Sequence, residues 1–303
     1  MNGLDRRELL LWTGAAGVAA LAPGLRAGPS ARARSSARKL KKSLMFGMVE
    51  GGATLLDKFQ MVRAAGFDGV ELDSPSDLHP EEVLEAMAKT GLEVSGMVDS
   101  VHWKDTLGDP DANVRARGVA ALETALRDAK KFRATSVLLV PAVVNAKIAY
   151  DDAWQRSQAE IRKVVPLATE LQVSISVENV WNQFLFSALE AARYVDAFES
   201  PWVGWHLDLG NVVNYGWPEQ WIKVLGKRLR RLHVKDFSRK KRDTEGLWKG
   251  FDVELGQGDV DWHATMAALD AIGYEGWGSA EVAGGGAERL KTVASQMDKL
   301  FAA

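Results

Sequence analysis

From residue 43 onward two patterns alternate along the chain. Short runs of apolar and β-branched residues are followed by longer stretches in which apolar residues recur every three or four positions. The first is the signature of a strand buried in a parallel sheet, the second that of a helix packed against it. Eight strands are predicted, at 43–48, 69–73, 93–98, 136–140, 173–178, 203–208, 231–235 and 276–281, with helices beginning near Leu55, Pro80, Pro110, Tyr150, Ser187, Pro218, Asp261 and Ala287. Proline or aspartate at several of these starts suits the first turn of a helix. Two junctions, 64–71 and 271–277, share one order of parts: helix end, glycine, aromatic, turn, strand. Eight such units in about 260 residues fit a single α/β domain, a (β/α)8 TIM barrel spanning 43–303. An open doubly wound sheet is the alternative. It lacks support, because only Gly51-Gly52 follows the first strand where a G-x-G-x-x-G phosphate turn would stand.

Ahead of residue 43 the alternation stops. Arg6-Arg7 precede an apolar stretch from Leu9 to Ala22 that closes on Ala20-Leu21-Ala22, the layout of a twin-arginine export signal with a small-residue cleavage site. At about 14 residues the stretch is shorter than the ~20 that a membrane span needs. Residues 1–42 are therefore expected to be a signal peptide and a flexible linker. The protein is expected to be periplasmic or otherwise exported, with the twin-arginine machinery as a partner.

Charge and composition narrow the chemistry. The chain has 38 Lys plus Arg and 40 Asp plus Glu, but residues 1–42 hold nine basic and two acidic residues, which leaves 29 basic against 38 acidic in the body. A body of net charge −9 is a poor match for a phosphate backbone, so no nucleic-acid partner is expected. With no cysteine, thiol catalysis and thiolate metal sites are excluded.

In a barrel the active site lies at the C-terminal ends of the strands. Late strands end in Glu178, Asp208 and Glu281, and His233 lies near the end of another. Strand alternation puts His206 on the face of Asp208, Lys235 on that of His233 and Ser279 on that of Glu281. Three carboxylates and one imidazole converging there would hold a divalent cation, and an O3N donor set suits Mn2+, with Mg2+ or Co2+ as alternatives.

These strand ends carry a resemblance. Glu178-Asn179-Val180-Trp181-Asn182, His206-Leu207-Asp208-Leu209-Gly210-Asn211, His233-Val234-Lys235-Asp236, Leu255 to Trp262 and Ala280-Glu281-Val282 resemble the xylose isomerase-like barrel superfamily over all of 43–303. That superfamily includes sugar isomerases and epimerases, hydroxypyruvate isomerases, inosose dehydratases and apurinic endonucleases. Similarity to its ketose 3-epimerase branch implies a metal held by Glu178, Asp208, His233 and Glu281. One departure stands out: where that branch has a histidine three residues after the ligand aspartate, this chain has Asn211.

The resemblance implies a divalent-metal-dependent sugar epimerase or isomerase working through an enediolate. Glu178 and Glu281 would exchange the proton on opposite faces of the carbon beside a carbonyl. A lyase that expels the aglycone of a 3-keto-glycoside would use the same residues, and a non-enzymatic sugar-binding barrel is a further alternative. Substrate contacts are expected from His102, Trp103, Trp181, His206, Asn211 and Lys235, with indole faces packing on sugar C–H surfaces. The segment 236–260 is expected to be a lid, and the basic run 239–242 a solvated loop. Apolar helix faces could pair barrels as a homo-oligomer.

Overall fold

The computed structural model describes residues 38–303, so the predicted signal and the linker up to residue 37 lie outside the described residues. Eight parallel strands close on themselves in sequence order. They are β1 (Leu40–Met45), β2 (Gly69–Ser74), β3 (Glu93–Asp99), β4 (Ser136–Leu139), β5 (Ser174–Glu178), β6 (Val203–Asp208), β7 (Leu229–Val234) and β8 (Gly276–Ala280). Around them lie α1 (Leu55–Ala65), α2 (Pro80–Thr90), α3 (Ala112–Lys131), α4 (Tyr150–Leu171), α5 (Ala188–Asp196), α6 (Leu209–Val213), α7 (Pro218–Leu225), α8 (Arg239–Glu245), α9 (Trp262–Ile272) and α10 (Ala287–Phe301). The fold is a single (β/α)8 TIM barrel.

The local chemistry explains the boundaries. Thr54 and Asp57 form a capping box at the start of α1, Ser187 and Glu190 another at α5, and the Asp261 side chain accepts from Ala264 N–H at α9. The two repeated junctions end in left-handed glycines, Gly66 at φ 100° and Gly273 at φ 66°, where a Cβ would be strained. The aromatic that follows each one fixes the next turn: Phe67 is fully buried, and the Tyr274 hydroxyl donates to the Trp277 carbonyl at 3.0 Å.

One boundary moves by more than a residue or two. β1 begins at Leu40, so residues 38–42, predicted as linker, belong to the barrel. Their basic side chains are held by acidic partners: Arg38 makes two bonds to Asp270 at 2.8 and 2.9 Å, Lys41 reaches Glu93 at 2.6 Å, and Lys42 reaches Asp298 at 2.6 Å. Read alone, the run of Arg and Lys resembles the linker before it, because those partners are supplied from distant parts of the chain.

The apolar core lies between the strands and the helical ring, with Phe59, Val62, Phe67, Leu72, Trp205 and Val293 fully buried. Each such side chain contributes roughly 1.5–3 kcal/mol on removal from water. The interior of the barrel is different. Ser43, Glu71, Ser95, His206, Arg231, His233 and Ser279 are all buried, and most are joined to one another across it.

Candidate functional site

At the C-terminal end of the barrel the last four strands bring together the residues expected there. Glu178 ends β5, Asp208 ends β6, His233 is the penultimate residue of β7, and Glu281 follows β8. One ligand atom from each lies within 4.8 Å of the others. His233 Nδ1 is 2.7 Å from Glu178 Oε1 and 3.2 Å from Glu281 Oε2. The Lys235 ammonium lies 2.6 Å from Glu281 Oε2 and 3.0 Å from Asp208 Oδ2.

Asp208 is oriented by its own sequence neighbours. Its Oδ1 accepts the Asn211 N–H at 2.7 Å and so caps α6, which leaves Oδ2 turned to the cluster. That oxygen is fully buried and has no hydrogen-bond donor; the Lys235 ammonium is close but outside hydrogen-bond geometry. A Cβ at Gly210 would lie 2.9 Å from Lys235 Cγ and 3.0 Å from its Cβ, so glycine lets α6 pack against Lys235 just past the end of β7.

The electrostatics follow from three carboxyl groups in a low-dielectric place. Burial, with Glu281 and Asp208 nearby, raises Glu178 to about 7 despite the opposing His233. Burial likewise raises Asp208 to about 6, against the pull of Lys235. Burial pushes Glu281 the same way, but Lys235 and His233 outweigh it and hold it well below the usual carboxylate range. For His233 burial works against the charged form, and Glu178 and Glu281 overcome it, so the imidazole is raised well above its ordinary value. Excess negative charge is thus balanced by the Lys235 ammonium and by protons on His233 and Glu178. Of these, the proton on His233 Nδ1 is the one a divalent cation would displace on binding the imidazole, whereas a carboxyl group can keep its proton and offer its other oxygen. The orphaned Asp208 oxygen and the O3N donor set fit such an ion.

The other expected contacts separate. Lys235 stands in the cluster. Trp181 is half-buried, donates from Nε1 to the Asn211 carbonyl at 3.1 Å, and packs on Trp248 and Phe251 with ring centroids 4.9 and 5.0 Å away. Asn211, expected to meet substrate, braces the rim through its Nδ2, which donates to the Asn179 carbonyl at 3.0 Å. Asn179 in turn spans β5 and β6 through both the N–H and the carbonyl of Asp208. His206, also expected at the substrate, lies fully buried with its ring 4.1 Å from that of His233 and neither ring nitrogen hydrogen-bonded. Burial and His233 push it well below the ordinary histidine range, so it is a neutral floor to the cluster. His102 accepts the Val140 N–H at 3.3 Å and is lowered to about 4 by burial, while Trp103 is 53% exposed beside it. Both belong to the loop after β3; the His102 hydrogen bond runs to Val140 just past β4, and Trp103 packs edge-on against the His102 ring at 5.6 Å between centroids.

The expected lid is an ordered wall. Asp236 Oδ1 accepts the Val260 N–H, and Oδ2 accepts from Gly256 N–H and Trp262 Nε1, which closes the segment at its base. A Cβ at Gly258 would fall 2.1 Å from Asp236 Oδ1. The Phe251 ring from this wall lies 5.1 Å from the Lys235 ammonium. Nor is the run 239–242 a solvated loop: it forms the first part of α8, and Arg239 and Arg242 donate to the carbonyls of Val213, Gly216 and Asn214.

Sequence reasoning missed the residues beneath the cluster. Glu71 on β2 touches His233 Nε2 at 3.0 Å and Arg231 Nη2 at 3.4 Å. Arg231 Nη2 also reaches Ser95 and Ser279 at 3.0 and 2.9 Å. No local signal marked Glu71, because it alternates with Val70 and Leu72 as a solvent-facing strand residue would.

The sequence profile of the xylose isomerase-like TIM barrel matches residues 59–301, and the chain belongs to that family. Among curated proteins it is similar to L-ribulose-5-phosphate 3-epimerase UlaE of Escherichia coli O1:K1, with 26% identity over 253 residues, covering 78% of this chain and 86% of the relative. Among solved structures it resembles E. coli 3-keto-D-glucoside 4-epimerase YcjR, with TM-score 0.73 and 18% identity over 88% of this chain and all of the other. An L-ribulose 3-epimerase superposes with TM-score 0.71 at 19% identity, over 87% of this chain and 95% of the other. At these identities the structural likenesses speak for the fold.

Proposed function

We propose that the protein is a divalent-metal-dependent sugar epimerase. One observation carries the reading: two carboxyl groups in one cluster, Glu178 and Glu281, have environments that drive their protonation in opposite directions. A reaction that removes a proton from one face of a carbon and returns it to the other needs one ionised and one protonated group. Glu281, ionised and with its side chain 35% exposed at the mouth, is the resting base; Glu178, buried and inclined to keep its proton, is the acid. After one turnover their states are exchanged, and the reverse transfer restores them. Lys235 holds Glu281 in place until substrate arrives, and its ammonium can donate to a substrate oxygen. Glu178, Asp208, His233 and Glu281 would hold the cation, Mn2+ in our reading, and its charge would acidify the carbon-bound proton next to a carbonyl. The epimerases among the relatives support the sugar class.

The test is proton NMR on the full-length protein loaded with Mn2+ for reaction, then quenched and stripped of metal, using ketoses and 3-keto-glucosides in D2O. Deuterium at an inverted stereocentre is the expected result. Release of an aglycone would replace the epimerase by the lyase reading of the same carboxyl pair. No reaction with either panel would remove the catalytic reading and leave a sugar-binding barrel. Export by the twin-arginine pathway is a separate proposal resting on Arg6-Arg7 and the apolar stretch after them. An Arg6→Lys/Arg7→Lys variant that still reached the periplasm would overturn it.

A further inference from the structure

His233 stands among three carboxylates. Its Nδ1 faces Glu178 and Glu281, and its Nε2 lies 3.0 Å from Glu71 Oε2 on the far side of the barrel. Glu71 cannot drift, because its other oxygen faces Arg231. That guanidinium is held by the Ser95 carbonyl, by Ser95 Oγ and by Ser279 Oγ, which is itself 2.6 Å from Ser43 Oγ. The space is reserved by sequence as well. A Cβ at Gly96 would lie 2.8 Å from Glu71 Oε1 and 3.1 Å from Arg231 Cζ, so any other residue on β3 would displace the pair.

We propose that Glu71 is a positioning residue for the metal centre. It accepts the Nε2–H of His233, fixes the tautomer whose Nδ1 lone pair faces Glu178, Asp208 and Glu281, and so sets the affinity of the site for a divalent cation. The proposal rests on the metal-centre reading given above. A carboxylate behind a ligand imidazole orients the ring and makes it a better donor, and loss of such a partner typically weakens metal binding about 10- to 100-fold. Glu71, His206 and His233 are themselves close enough to hold a cation. The Arg231 guanidinium against Glu71 argues against that use, since it already supplies the positive charge a second ion would bring.

The experiment measures Mn2+ affinity of the full-length protein by the electron paramagnetic resonance of free Mn2+, for wild type, Glu71→Gln and Glu71→Met. Unfolding of each metal-free protein is followed in parallel. Gln keeps an oxygen that can accept Nε2–H and loses only the charge, whereas Met keeps neither. The expected order is wild type, then Gln weaker by about 10-fold, then Met weaker by about 100-fold. A second readout is the exchangeable, paramagnetically shifted imidazole N–H proton of the Co2+-loaded protein, protected from solvent in wild type and exchanging faster in Glu71→Gln. This readout also serves if Glu71→Met does not fold, and a merely structural role would not move it. Folded variants with unchanged Mn2+ affinity, or a wild-type N–H proton that exchanges freely, would overturn the role of Glu71 alone. Wild-type protein that takes up no Mn2+ would overturn the metal reading together with it.

Discussion

Two polar layers share the inside of this barrel, and they differ in how their charge is balanced. The upper layer, Glu178, Asp208, His233 and Glu281 with Lys235, comes from β5 to β8 and sets three carboxyl groups against one ammonium and one imidazole. One buried oxygen there lacks a hydrogen bond. The lower layer, Glu71 and Arg231 with Ser43, Ser95 and Ser279, draws on β1, β2, β3, β7 and β8, and pairs its two opposite charges. Each sits in a low-dielectric place where an unbalanced charge is expensive. The balanced layer can only hold its neighbours in position. The unbalanced one must recruit protons or a cation, and so it can do chemistry.

Substitutions should therefore act differently in the two layers. Glu281→Gln removes the proposed base with little change of volume, and turnover in the D2O assay should fall by about 10²- to 10⁴-fold. The variant also loses the charge that pairs with Lys235 and His233, so the metal-free protein should unfold at a somewhat lower urea concentration than wild type, though by less than Arg231→Met. Arg231→Met leaves Glu71 charged and without its guanidinium partner, and a broken buried pair costs about 3–5 kcal/mol, to be read from urea unfolding of the metal-free protein. If Glu281→Gln proved the more destabilising of the two, the distinction between a working layer and a supporting one would fail.

The upper layer was legible in the sequence because its three carboxylates each stand at the end of a strand-like run. Glu178 after Ser174-Ile175-Ser176-Val177 and Asp208 after Trp205-His206-Leu207 stand where a barrel strand meets its loop. The lower layer was hidden by alternation. Val70-Glu71-Leu72-Asp73 reads like a strand with one face in solvent, whereas in a closed barrel that second face is the lumen. The sequence order of Arg231 and His233 puts both on one face of β7, but nothing local tells which partner across the barrel each will find. The placing of Asn211 and His206 was hidden for a related reason. Their residue types suit hydrogen bonding to a sugar, and only the register of β5 against β6 shows that Asn179 had already engaged the first and that the second lies below the rim.

The proposed metal binding would give the comparison a pH dependence. His233 is raised well above its ordinary value, so near pH 6 it carries a proton that a cation on Nδ1 must displace. Protons therefore compete with the metal, and Mn2+ affinity should rise with pH, by about one power of ten per unit below pH 7. Calorimetry in buffers of different ionisation enthalpy would count the released protons. A pH-independent affinity between about 5.5 and 7, where His233 is held protonated in the metal-free protein, would mean that other groups hold the ion.

The smallest effect is expected from a carboxyl group that belongs to neither layer. Asp99 ends β3 at 1% exposure, accepts the Val101 N–H at 3.2 Å, and has no ion-pair partner among the described residues. Burial first, and Asp105 to a lesser degree, raise it to about 7 from an ordinary value of 3.8. Its folded form thus holds a proton that the unfolded chain has already lost. The stability this contributes is fully present below about pH 4 and is lost as pH rises through about 7. Asp99→Asn keeps an oxygen for Val101 and removes the charge. At pH 8 the variant should be more stable than wild type by about 1–3 kcal/mol, a difference that closes toward pH 4. Urea unfolding of metal-free protein at the two pH values measures it. A gap of equal size at both would show that Asp99 stays ionised in the fold, and that an unpaired carboxylate can be tolerated at the barrel rim without the proton or cation that the upper layer requires.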